Sequence, residues 1–404
     1  MTSFIEINHD KIELQFQQNV NTIPKTSPSI SYNEFFEKFL IQNRPCIFDC
    51  EITESWPSRR NWSKNNAPNF GWLKECFGDS QVPIADCNKR YYNAQCKNNM
   101  SIKAYINYWV DYRNHNYSNK MHLLYLKDWH CIKSNSNLQI YNVPQYFASD
   151  WLNEYYIGHP NLNDDYMFVY MGPKGSWTPF HVDVFTSYSW SANVIGKKRW
   201  LLFPPGQENY LCDKNGDLLY DITSEDLNNK PKYDDMNNEL SNGIEIIQDT
   251  GQIIFVPSGW HHQVWNLEDT ISINHNWING CNILNVWKSL HKELTAVMHE
   301  IEDCKDMDDW AMHCQTMLKA TFGMNYIQFY ELISFIAEKR INSVINNVTV
   351  RSFDEWCLGN NHCLFDLRQI RIVLKNLIGD AKEKKIDTLL WKKNEAVQLI
   401  DRII

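Results

Sequence analysis

Short apolar segments that alternate with turn residues dominate the chain between residues 166 and 277. They are rich in β-branched and aromatic residues and are mostly bounded by Gly, Pro, Asn or Asp, a pattern typical of β-strands. The predicted strands are residues 166–171, 180–184, 187–194, 199–203, 244–248, 252–256, 263–266 and 270–277. So many short strands in succession favour a sandwich or barrel of the jelly-roll type.

A mixture of helical and strand patterns precedes this region. Ser31 and Glu34 have the spacing of a capping box in front of an apolar helical face. Further helices are predicted at residues 71–77, 102–112 and 144–153, and strands at residues 44–48, 81–85 and 121–129. Residues 30–165 are therefore predicted to form an N-terminal α/β part. Residues 1–29 are polar, carry Pro24 and Pro28, and are expected to be a loosely ordered lead-in.

The period of the pattern changes again after Gly280. One helical stripe is formed by Trp287, Leu290, Leu294, Val297 and Ile301. Later helices are predicted at residues 310–322, 326–345, 367–377 and 386–403. Residues 282–404 thus form a C-terminal helical bundle, which packs either on the barrel or on a second copy of the chain as a homodimer. The predicted fold class is α+β, and a polar segment, residues 212–242, is expected to be a surface loop beside the barrel mouth.

Composition and charge narrow the classes of function. With 404 residues, of which 43% are hydrophobic, the chain can fill the core of a large globular protein. Its net charge of −9 argues against stable nucleic-acid binding and favours a basic partner. The 12 cysteines are scattered without a Cys-x-x-Cys pair, so we expect reduced thiols. Neither a signal peptide nor an apolar run of membrane length is present, and we expect an intracellular protein that is not bound to a membrane.

Two short motifs within the strand region carry candidate metal ligands. In Thr-Pro-Phe-His-Val-Asp at 178–183, His181 and Asp183 lie two residues apart, so an extended backbone points both side chains to one face. The second motif, Pro-Ser-Gly-Trp-His-His at 257–262, follows an apolar strand. Adjacent strand residues face opposite ways, so either His261 or His262 completes the site. Two histidines and one carboxylate, with an open face on the metal, are the arrangement of non-haem Fe(II) oxygenases.

The His-x-Asp pair at 181–183 indicates a metal site only because the surrounding residues are predicted to form a strand. Roughly one such pair is expected by chance in a chain with 13 histidines. His291 and Glu293 have the same spacing but lie in a segment of helical period, where residues two apart face different directions. That second pair is therefore expected to be solvated, and the metal site is predicted at His181.

Four motifs make residues 30–281 resemble a JmjC domain, a branch of the 2-oxoglutarate- and Fe(II)-dependent oxygenases. They are Thr-x-x-His-x-Asp at 178–183, Gly-Lys-Lys-Arg-Trp at 196–200 with Phe-Pro-Pro at 203–205, Pro-x-Gly-Trp-x-His at 257–262, and Asn-x-Asn-Trp at 274–277. The resemblance implies a double-stranded β-helix core over residues 166–281. It also implies that the iron ligands are His181, Asp183 and His262.

The resemblance further implies which residues bind 2-oxoglutarate. Lys198 would pair with the carboxylate farthest from the metal, and Thr178 and Tyr125 match positions whose hydroxyls assist. Asn274 and Ser191 occupy positions where relatives place small polar residues near the cosubstrate. From the residues alone, other interpretations stay open. A Lys-Lys pair can be solvated on an edge strand, and the two small polar residues can simply be satisfied within the barrel.

Function is implied only through the family. Its members couple decarboxylation of 2-oxoglutarate, to succinate and CO₂, to hydroxylation of a substrate C–H bond. This sequence has no zinc-spaced Cys/His cluster of the kind that histone-reading modules carry. Residues 125–129 (Tyr-Leu-Lys-Asp-Trp), residues 257–264 and the C-terminal helices resemble one group of small members in particular. That closer resemblance implies lysyl C-4 hydroxylation of the eukaryotic translation termination factor, in the cytoplasm with a nuclear pool.

Several alternatives stay open at this point. They are a hydroxylase of a modified transfer-RNA base, a hydroxylase of another protein side chain, a non-catalytic cupin-like binding module, and a zinc or manganese cupin. A transfer-RNA enzyme needs a basic channel and salt-sensitive binding. A plain cupin has no need for Lys198, Thr178 and Tyr125 to converge on a carboxylate. The residues therefore favour an oxygenase that uses Fe(II), 2-oxoglutarate and O₂.

Overall fold

A computed structural model gives the fold and describes residues 3–16, 20–135, 137–162, 166–207, 211–212, 218–224, 243–384 and 393–403. Its strands are β1 (Ser3–Ile5), β2 (Lys25–Thr26), β3 (Cys46–Phe48), β4 (Ser63–Lys64), β5 (Ala67–Pro68), β6 (Gln81–Tyr91), β7 (Ala94–Ser101), β8 (Leu124–Trp129), β9 (Met167–Gly172), β10 (Trp177–His181), β11 (Tyr188–Ile195), β12 (Lys198–Phe203), β13 (Ile244–Gln248), β14 (Ile253–Val256), β15 (His261–Asn266), β16 (Thr270–Trp277), β17 (Val350–Ser352) and β18 (Trp356–Leu358). Its α-helices are α1 (Tyr32–Phe35), α2 (Pro57–Asn61), α3 (Phe70–Phe77), α4 (Ile102–Asn114), α5 (Cys131–Ser134), α6 (Trp151–Gly158), α7 (Ile283–Glu300), α8 (Trp310–Phe322), α9 (Tyr326–Asn346), α10 (Asn360–Glu383) and α11 (Lys393–Arg402).

Two sheets build the centre of the molecule. The larger has the strand order β2-β3-β14-β11-β16-β9-β8-β6-β7, and the smaller has the order β10-β15-β12-β13. Strands β9 to β16 divide between the two sheets, and their mutual pairings are antiparallel. This arrangement confirms the predicted α+β class with a jelly-roll barrel.

Strand β11 shows how the sequence positions the site. It is buried along its whole length, yet it alternates polar and apolar residues. Its apolar set, Tyr188, Trp190, Ala192 and Val194, belongs to the main hydrophobic core. Because successive side chains of a strand point to opposite faces, Ser189 and Ser191 are turned the other way, toward the interior of the barrel. The barrel interior is therefore polar at this strand, as a ligand pocket requires.

The strand that carries His181 begins and ends three residues earlier than predicted. Residues 180–184 were expected to be one strand, but β10 ends at His181 and Asp183 precedes a short 3₁₀ turn. The cause is local, since Phe185 and Thr186 have φ of 59° and 53°, which a strand cannot accommodate. The two candidate ligands therefore do not share a strand face, although Asp183 itself has an extended backbone.

The short hairpin of β4 and β5 and two longer hairpins escaped prediction. Strand β6 continues to Tyr91 and pairs with β7, although only residues 81–85 were expected to be extended. This hairpin lies at the edge of the larger sheet and many of its side chains face solvent, so its composition is polar. The second hairpin, β17 with β18, joins helices α9 and α10. Strands with little burial have few apolar residues, so the apolar pattern fails to reveal the hairpin of β6 and β7. Strands β17 and β18 are mostly buried, but each comprises only three residues.

The expected loose lead-in is ordered where it is described. Strand β1 pairs in parallel with β18, and β2 pairs in parallel with β3. Ile5 and Ile7 are buried in the main hydrophobic core. The prediction of a loosely ordered segment is therefore wrong for these residues, because backbone pairing and two buried isoleucines hold them to the domain. Residues 1–2 and 17–19 lie outside the described part of the chain.

The C-terminal helices share a second hydrophobic cluster. The predicted stripe on α7 is largely buried, with Leu290 and Leu294 fully covered. Helix α8 matches its predicted bounds, and α9 ends one residue later than predicted. The ring of Phe185, in the turn after β10, lies 6.1 Å from that of Phe322 at the end of α8. The helical region therefore packs against the loop that follows the candidate ligands.

Two predicted segments lie partly outside the described residues. Within the expected loop 212–242, the structure describes only Cys212 and residues 218–224, of which Leu219 and Ile222 are buried near Phe180 and Phe203. Within the helix predicted at 386–403, residues 386–392 are not described, and α11 covers residues 393–402 of the remainder. Every described helix falls short of the combined length and apolarity that a membrane span requires.

Candidate metal centre and cosubstrate pocket

The pairing of β10 with β15 brings the two histidine motifs together. His181 and His262 are direct cross-strand partners, and their ring centroids lie 4.3 Å apart. Asp183 joins them from the turn after β10. One ligand atom from each of these three residues can be chosen so that all lie within 4.8 Å of one another. Among the described residues, this is the one such group of three or more His, Cys, Asp or Glu side chains.

Backbone carbonyls fix the tautomer of both histidines. Nδ1 of His181 lies 2.8 Å from the carbonyl oxygen of Pro179, and Nδ1 of His262 lies 3.0 Å from that of Trp260. A carbonyl oxygen only accepts hydrogen bonds, so Nδ1 of each ring must carry the proton. Each Nε2 is then left with a free lone pair, which is the state in which imidazole binds a metal.

The third member is a carboxylate held by a hydroxyl. Ser189 on β11 donates to Oδ2 of Asp183 over 2.6 Å, so one oxygen is oriented by the protein. Removal from water, together with the neighbouring His262, lowers the pKa of His181 to about 3. At neutral pH the group therefore consists of a neutral imidazole beside a carboxylate, which suits a divalent cation.

The structure separates the two adjacent histidines of the second motif. His262 belongs to the ligand group, whereas His261 points to the opposite face, where its ring centroid lies 5.7 Å from that of Phe180. His261 instead lines a different cavity, between the loop after β10 and helix α7. The geometry thus selects between two residues that strand periodicity alone left equivalent.

All of the residues predicted to bind 2-oxoglutarate line one pocket with the ligand group. That pocket is bounded by Tyr125, Tyr170, Thr178, His181, Asp183, Ser189, Trp190, Ser191, Lys198, Trp200, His262, Val264, Asn274 and Asn276. Strands of both sheets contribute to this lining. The pocket therefore lies inside the barrel, between the two sheets.

Lys198 reaches across the barrel from the smaller sheet to the larger. It is 2% exposed, and its Nζ donates to Oγ of Ser272 on β16 over 2.7 Å. Burial and the nearby Lys127 lower the pKa of Lys198 to about 7. The interpretation of a solvated lysine pair is wrong for this residue. It describes Lys197 better, whose Nζ lies 3.2 Å from Oδ1 of Asp249 on the surface.

A second buried lysine accompanies Lys198. Lys127 is 7% exposed, its Nζ donates to Oε1 of Gln95 over 3.3 Å, and burial lowers its pKa to about 8. No carboxylate among the described residues forms an ion pair with either lysine. The charge of Asp128 acts on Lys127 in the outer cavity, whereas burial and Lys127 act on Lys198. A buried ammonium is costly without a counter-charge, so the pocket around Lys198 favours an anionic ligand.

Ser191 and Asn274 fit both of the interpretations that the sequence left open. They face each other across paired strands, and Oγ of Ser191 donates to Oδ1 of Asn274 over 2.8 Å. The hydroxyl is thus satisfied within the barrel. Both residues nevertheless line the pocket, so the remaining polar atoms of the pair are available to a ligand.

Four residues of the site were missed from the sequence. Ser189 supports Asp183 from the next strand, six positions later, and Ser272 supports Lys198 from 74 positions away. Neither serine belongs to the motif that it supports. Lys127 lies two residues after Tyr125, and strand alternation could have identified it. Tyr170 stands between the pocket and an outer cavity that also contains His181 and Asp183.

Comparisons with known proteins agree with this geometry. Residues 168–277 match the family model described as JmjC domain, hydroxylase. The chain is 46% identical to a chicken protein named 2-oxoglutarate and iron-dependent oxygenase JMJD4, over 91% of this chain and 88% of the relative. The human protein of that name is 44% identical over 89% of this chain and 85% of the relative. A protein of Arabidopsis thaliana named arginine-specific demethylase JMJ20 is 40% identical over 84% of this chain and 74% of the relative.

Proposed function

The chain belongs to the JmjC family of 2-oxoglutarate- and iron-dependent oxygenases, and we propose that within it the protein hydroxylates a lysine side chain of another protein. Membership confirms the resemblance found in the sequence, including the closer one, which is to the Jumonji domain-containing protein 4 (JMJD4) group. It also confirms Fe(II), 2-oxoglutarate and O₂ as the cofactor and cosubstrates.

We assign iron binding to His181, Asp183 and His262. The donor set suits Fe(II), because two neutral imidazoles and one carboxylate leave open positions for other ligands. The fixed tautomers support the assignment, since both free Nε2 lone pairs belong to histidines whose Nδ1 atoms are engaged by backbone carbonyls. The hydrogen bond from Ser189 orients the carboxylate in the same way.

We assign the binding of 2-oxoglutarate to the polar residues deeper in the barrel. Lys198 supplies the cation for the far carboxylate, and the hydroxyls of Thr178 and Tyr125 line the same pocket. Ser191 and Asn274 contribute polar atoms at the strand pair opposite. The single observation that carries the proposal is that the three ligands share one pocket with a buried lysine, Lys198, for which the described part of the chain supplies no carboxylate partner.

When iron, 2-oxoglutarate and O₂ are bound, together they supply the oxidising chemistry, in which 2-oxoglutarate becomes succinate and CO₂ and one oxygen atom enters a substrate C–H bond. The chain's own residues bind, orient and exclude water. Trp200 and Val264 give the pocket apolar walls, which keep bulk solvent from the reacting groups. Lys198 holds the cosubstrate at a fixed distance from the ligands, because its own position is set by Ser272.

For the substrate, we propose lysyl C-4 hydroxylation of the eukaryotic translation termination factor. Support comes from the close resemblance to the JMJD4 group over nearly the whole chain. The net charge of −9 is compatible with a basic target. Such a substrate places the protein in the cytoplasm, with a nuclear pool. A homodimer through the C-terminal helices is part of the same proposal.

A second candidate is removal of a methyl group from arginine. The Arabidopsis relative named arginine-specific demethylase shares 40% identity, so the fold and pocket are compatible with that outcome. The same oxidation at an N-methyl carbon releases the methyl group, whereas oxidation of a lysine carbon leaves the hydroxyl in place. The two candidates thus predict different changes of mass.

Tandem mass spectrometry of purified termination factor, incubated with the iron-loaded protein, 2-oxoglutarate and O₂, tests this proposal. We expect a gain of one oxygen atom on a single lysine, which is absent with the Asp183→Ala variant. Unmodified termination factor, together with loss of methyl groups from a methylarginine peptide, would replace the first candidate by the second. Modification of transfer RNA alone would contradict both.

A further inference from the structure

An outer cavity leads from the protein surface to the metal ligands. Its volume is about 620 Å³, in the range of sites that hold a ligand or a side chain. It shares Tyr170, Thr178, His181, Asp183 and Asn276 with the inner pocket. This cavity therefore offers a substrate side chain a route to the metal ligands.

One carboxylate of this cavity, that of Asp128, is placed by an irregular backbone. Asp128 lies in β8 with φ of 57°, where the pairing of β8 with β9 shifts register between Leu126 and Trp129. Such breaks in a strand redirect a side chain, and a non-glycine residue with positive φ is held there at an energetic cost. Oη of Tyr170 donates to Oδ1 of Asp128 over 2.7 Å and fixes its direction.

The other oxygen of Asp128 is paired with a cation that can be exchanged. Nζ of Lys97, on the neighbouring hairpin strand β7, donates to Oδ2. The side chain of Lys97 is 46% exposed and that of Asp128 is 30% exposed. An ion pair of this exposure contributes little stability, so another ammonium can take the place of Lys97 without changing the net charge of the cavity.

The walls of the cavity suit a long aliphatic chain. Trp129, Phe168 and Pro83 line it together with Tyr170, and the metal ligands lie farther in. Lysine buries its methylene stem along such apolar walls and keeps its ammonium for a polar partner. The cavity therefore offers a carboxylate for the charge and aromatic surface for the stem.

We propose that Asp128 receives the ammonium group of the substrate lysine and sets the preference of this site for a lysine side chain. This inference rests on the proposed function, which it deepens by naming the residue that recognises the target. The ammonium of the substrate displaces that of Lys97, which returns to solvent. The carbons of the substrate lysine between its ammonium group and its backbone then lie in the outer cavity, beside the metal ligands.

The test compares two peptides on protein loaded with Mn(II) and 2-oxoglutarate without oxygen. One spans the lysine hydroxylated in the termination factor, and the other carries norleucine there, which keeps the stem and lacks the ammonium. We expect the wild-type protein to bind the lysine peptide about 10- to 100-fold more tightly. Asp128→Asn should remove this preference. Asparagine tolerates positive φ, so the variant retains the backbone of β8.

Two further variants separate recognition from structure. Lys97→Ala breaks the same ion pair but leaves the carboxylate, so it should keep the preference for lysine and bind that peptide as tightly or more tightly. Asp86→Asn changes a buried carboxylate on β6 that bonds His122 outside this cavity, and it should also keep the preference. Equal losses in Lys97→Ala and Asp128→Asn would mean a structural ion pair and would overturn the inference.

The test of Asp128 can also be separated from the test of the proposed function. If the wild-type protein hydroxylates no lysine of the termination factor, a peptide library randomised at its central position replaces the peptide pair. Enrichment of lysine on the Mn(II)-loaded wild-type protein, lost in Asp128→Asn, would support the inference with a different protein target. Lysine enrichment of equal size on both proteins, or no enrichment on either, would refute it.

Discussion

At the scale of single residues, Lys198 connects burial to the binding of 2-oxoglutarate. Burial lowers its pKa to about 7, and a carboxylate binds only its protonated form. Below about pH 7 the Lys198 amine of the free protein is protonated. Above that pH, Lys198 must take up a proton before it can bind the carboxylate of 2-oxoglutarate. We therefore expect the KM for 2-oxoglutarate to be constant below about pH 7 and to rise up to about tenfold per pH unit above it.

The variant Lys198→Arg is the control for this pH dependence. Arginine stays charged over the whole range, so its KM for 2-oxoglutarate should be higher than that of the wild type but independent of pH. Succinate formation, measured as a function of cosubstrate concentration at each pH, gives both profiles. Parallel profiles of the two proteins would show that another group is responsible for the titration.

Adjacent histidines offer a matched pair of variants at the metal. His262→Ala removes a ligand and should lower the affinity for Fe(II) by more than about 100-fold, beyond the 10- to 100-fold that loss of a supporting residue costs. His261→Ala removes the same side chain from the opposite face and should bind iron almost as the wild type does. Anaerobic iron titration measures both affinities. Comparable losses in the two variants would contradict the assignment.

The pocket residues that the sequence predicted lie in recognisable motifs or a short distance along the chain from one. His181 and Asp183 form one motif, and Lys198 follows it on a nearby strand. Ser272, which holds Lys198, could not be identified because it lies 74 positions away on the other sheet. The role we propose for Asp128 depends on a positive φ, and the sequence gives no sign of that for an aspartate within an apolar strand.

At the scale of elements, a buried ionic cluster ties three helices together. Arg340 on α9 donates from Nη1 and Nη2 to Glu154 on α6 over 2.9 and 2.6 Å, and from Nε to Asp366 on α10 over 2.7 Å. All three side chains are at most 1% exposed. Buried charges are tolerated when each is paired, and the removal of one leaves the others uncompensated.

Arg340→Met should therefore destabilise the protein by about 3–5 kcal/mol, because it removes the buried cation between Asp366 and Glu154 and leaves Glu154 with only the partly exposed Lys339. Urea denaturation measures the free energy of unfolding. The triple variant that adds Glu154→Gln and Asp366→Asn removes the stranded charges and should recover part of the loss. A single variant as stable as the wild type would show that the cluster does not hold the helices.

Hydrophobic periodicity predicted elements well where burial was one-sided or complete. Strand β16 and helix α8 have the predicted bounds, because their apolar residues carry a clear period. The same periodicity did not predict strands at the sheet edge or short strands near the chain terminus. Strand β1 comprises three residues, and its partner β18 lies some 350 positions away, so its order depends on a contact that no local pattern contains.

At the scale of the whole molecule, the barrel was predictable and its extensions were not. The succession of short strands between residues 166 and 277 favours a jelly roll, although β12 and β13 are the one consecutive pair of strands among β9 to β16 that are neighbours. The larger sheet is extended on one side by β3 and β2 and on the other by β8, β6 and β7. These strands come from the N-terminal part, which therefore forms walls of the barrel and supplies Tyr125, Lys127 and Asp128.

The central claim is that this pocket turns over 2-oxoglutarate with iron. It is tested most directly by measuring succinate after O₂ is admitted to anaerobically Fe(II)-loaded protein, with and without purified termination factor, beside the Asp183→Ala variant. We predict succinate formation that termination factor stimulates and that the variant lacks. Equal succinate from the wild type and Asp183→Ala, or a wild type that binds neither iron nor 2-oxoglutarate, would contradict the account.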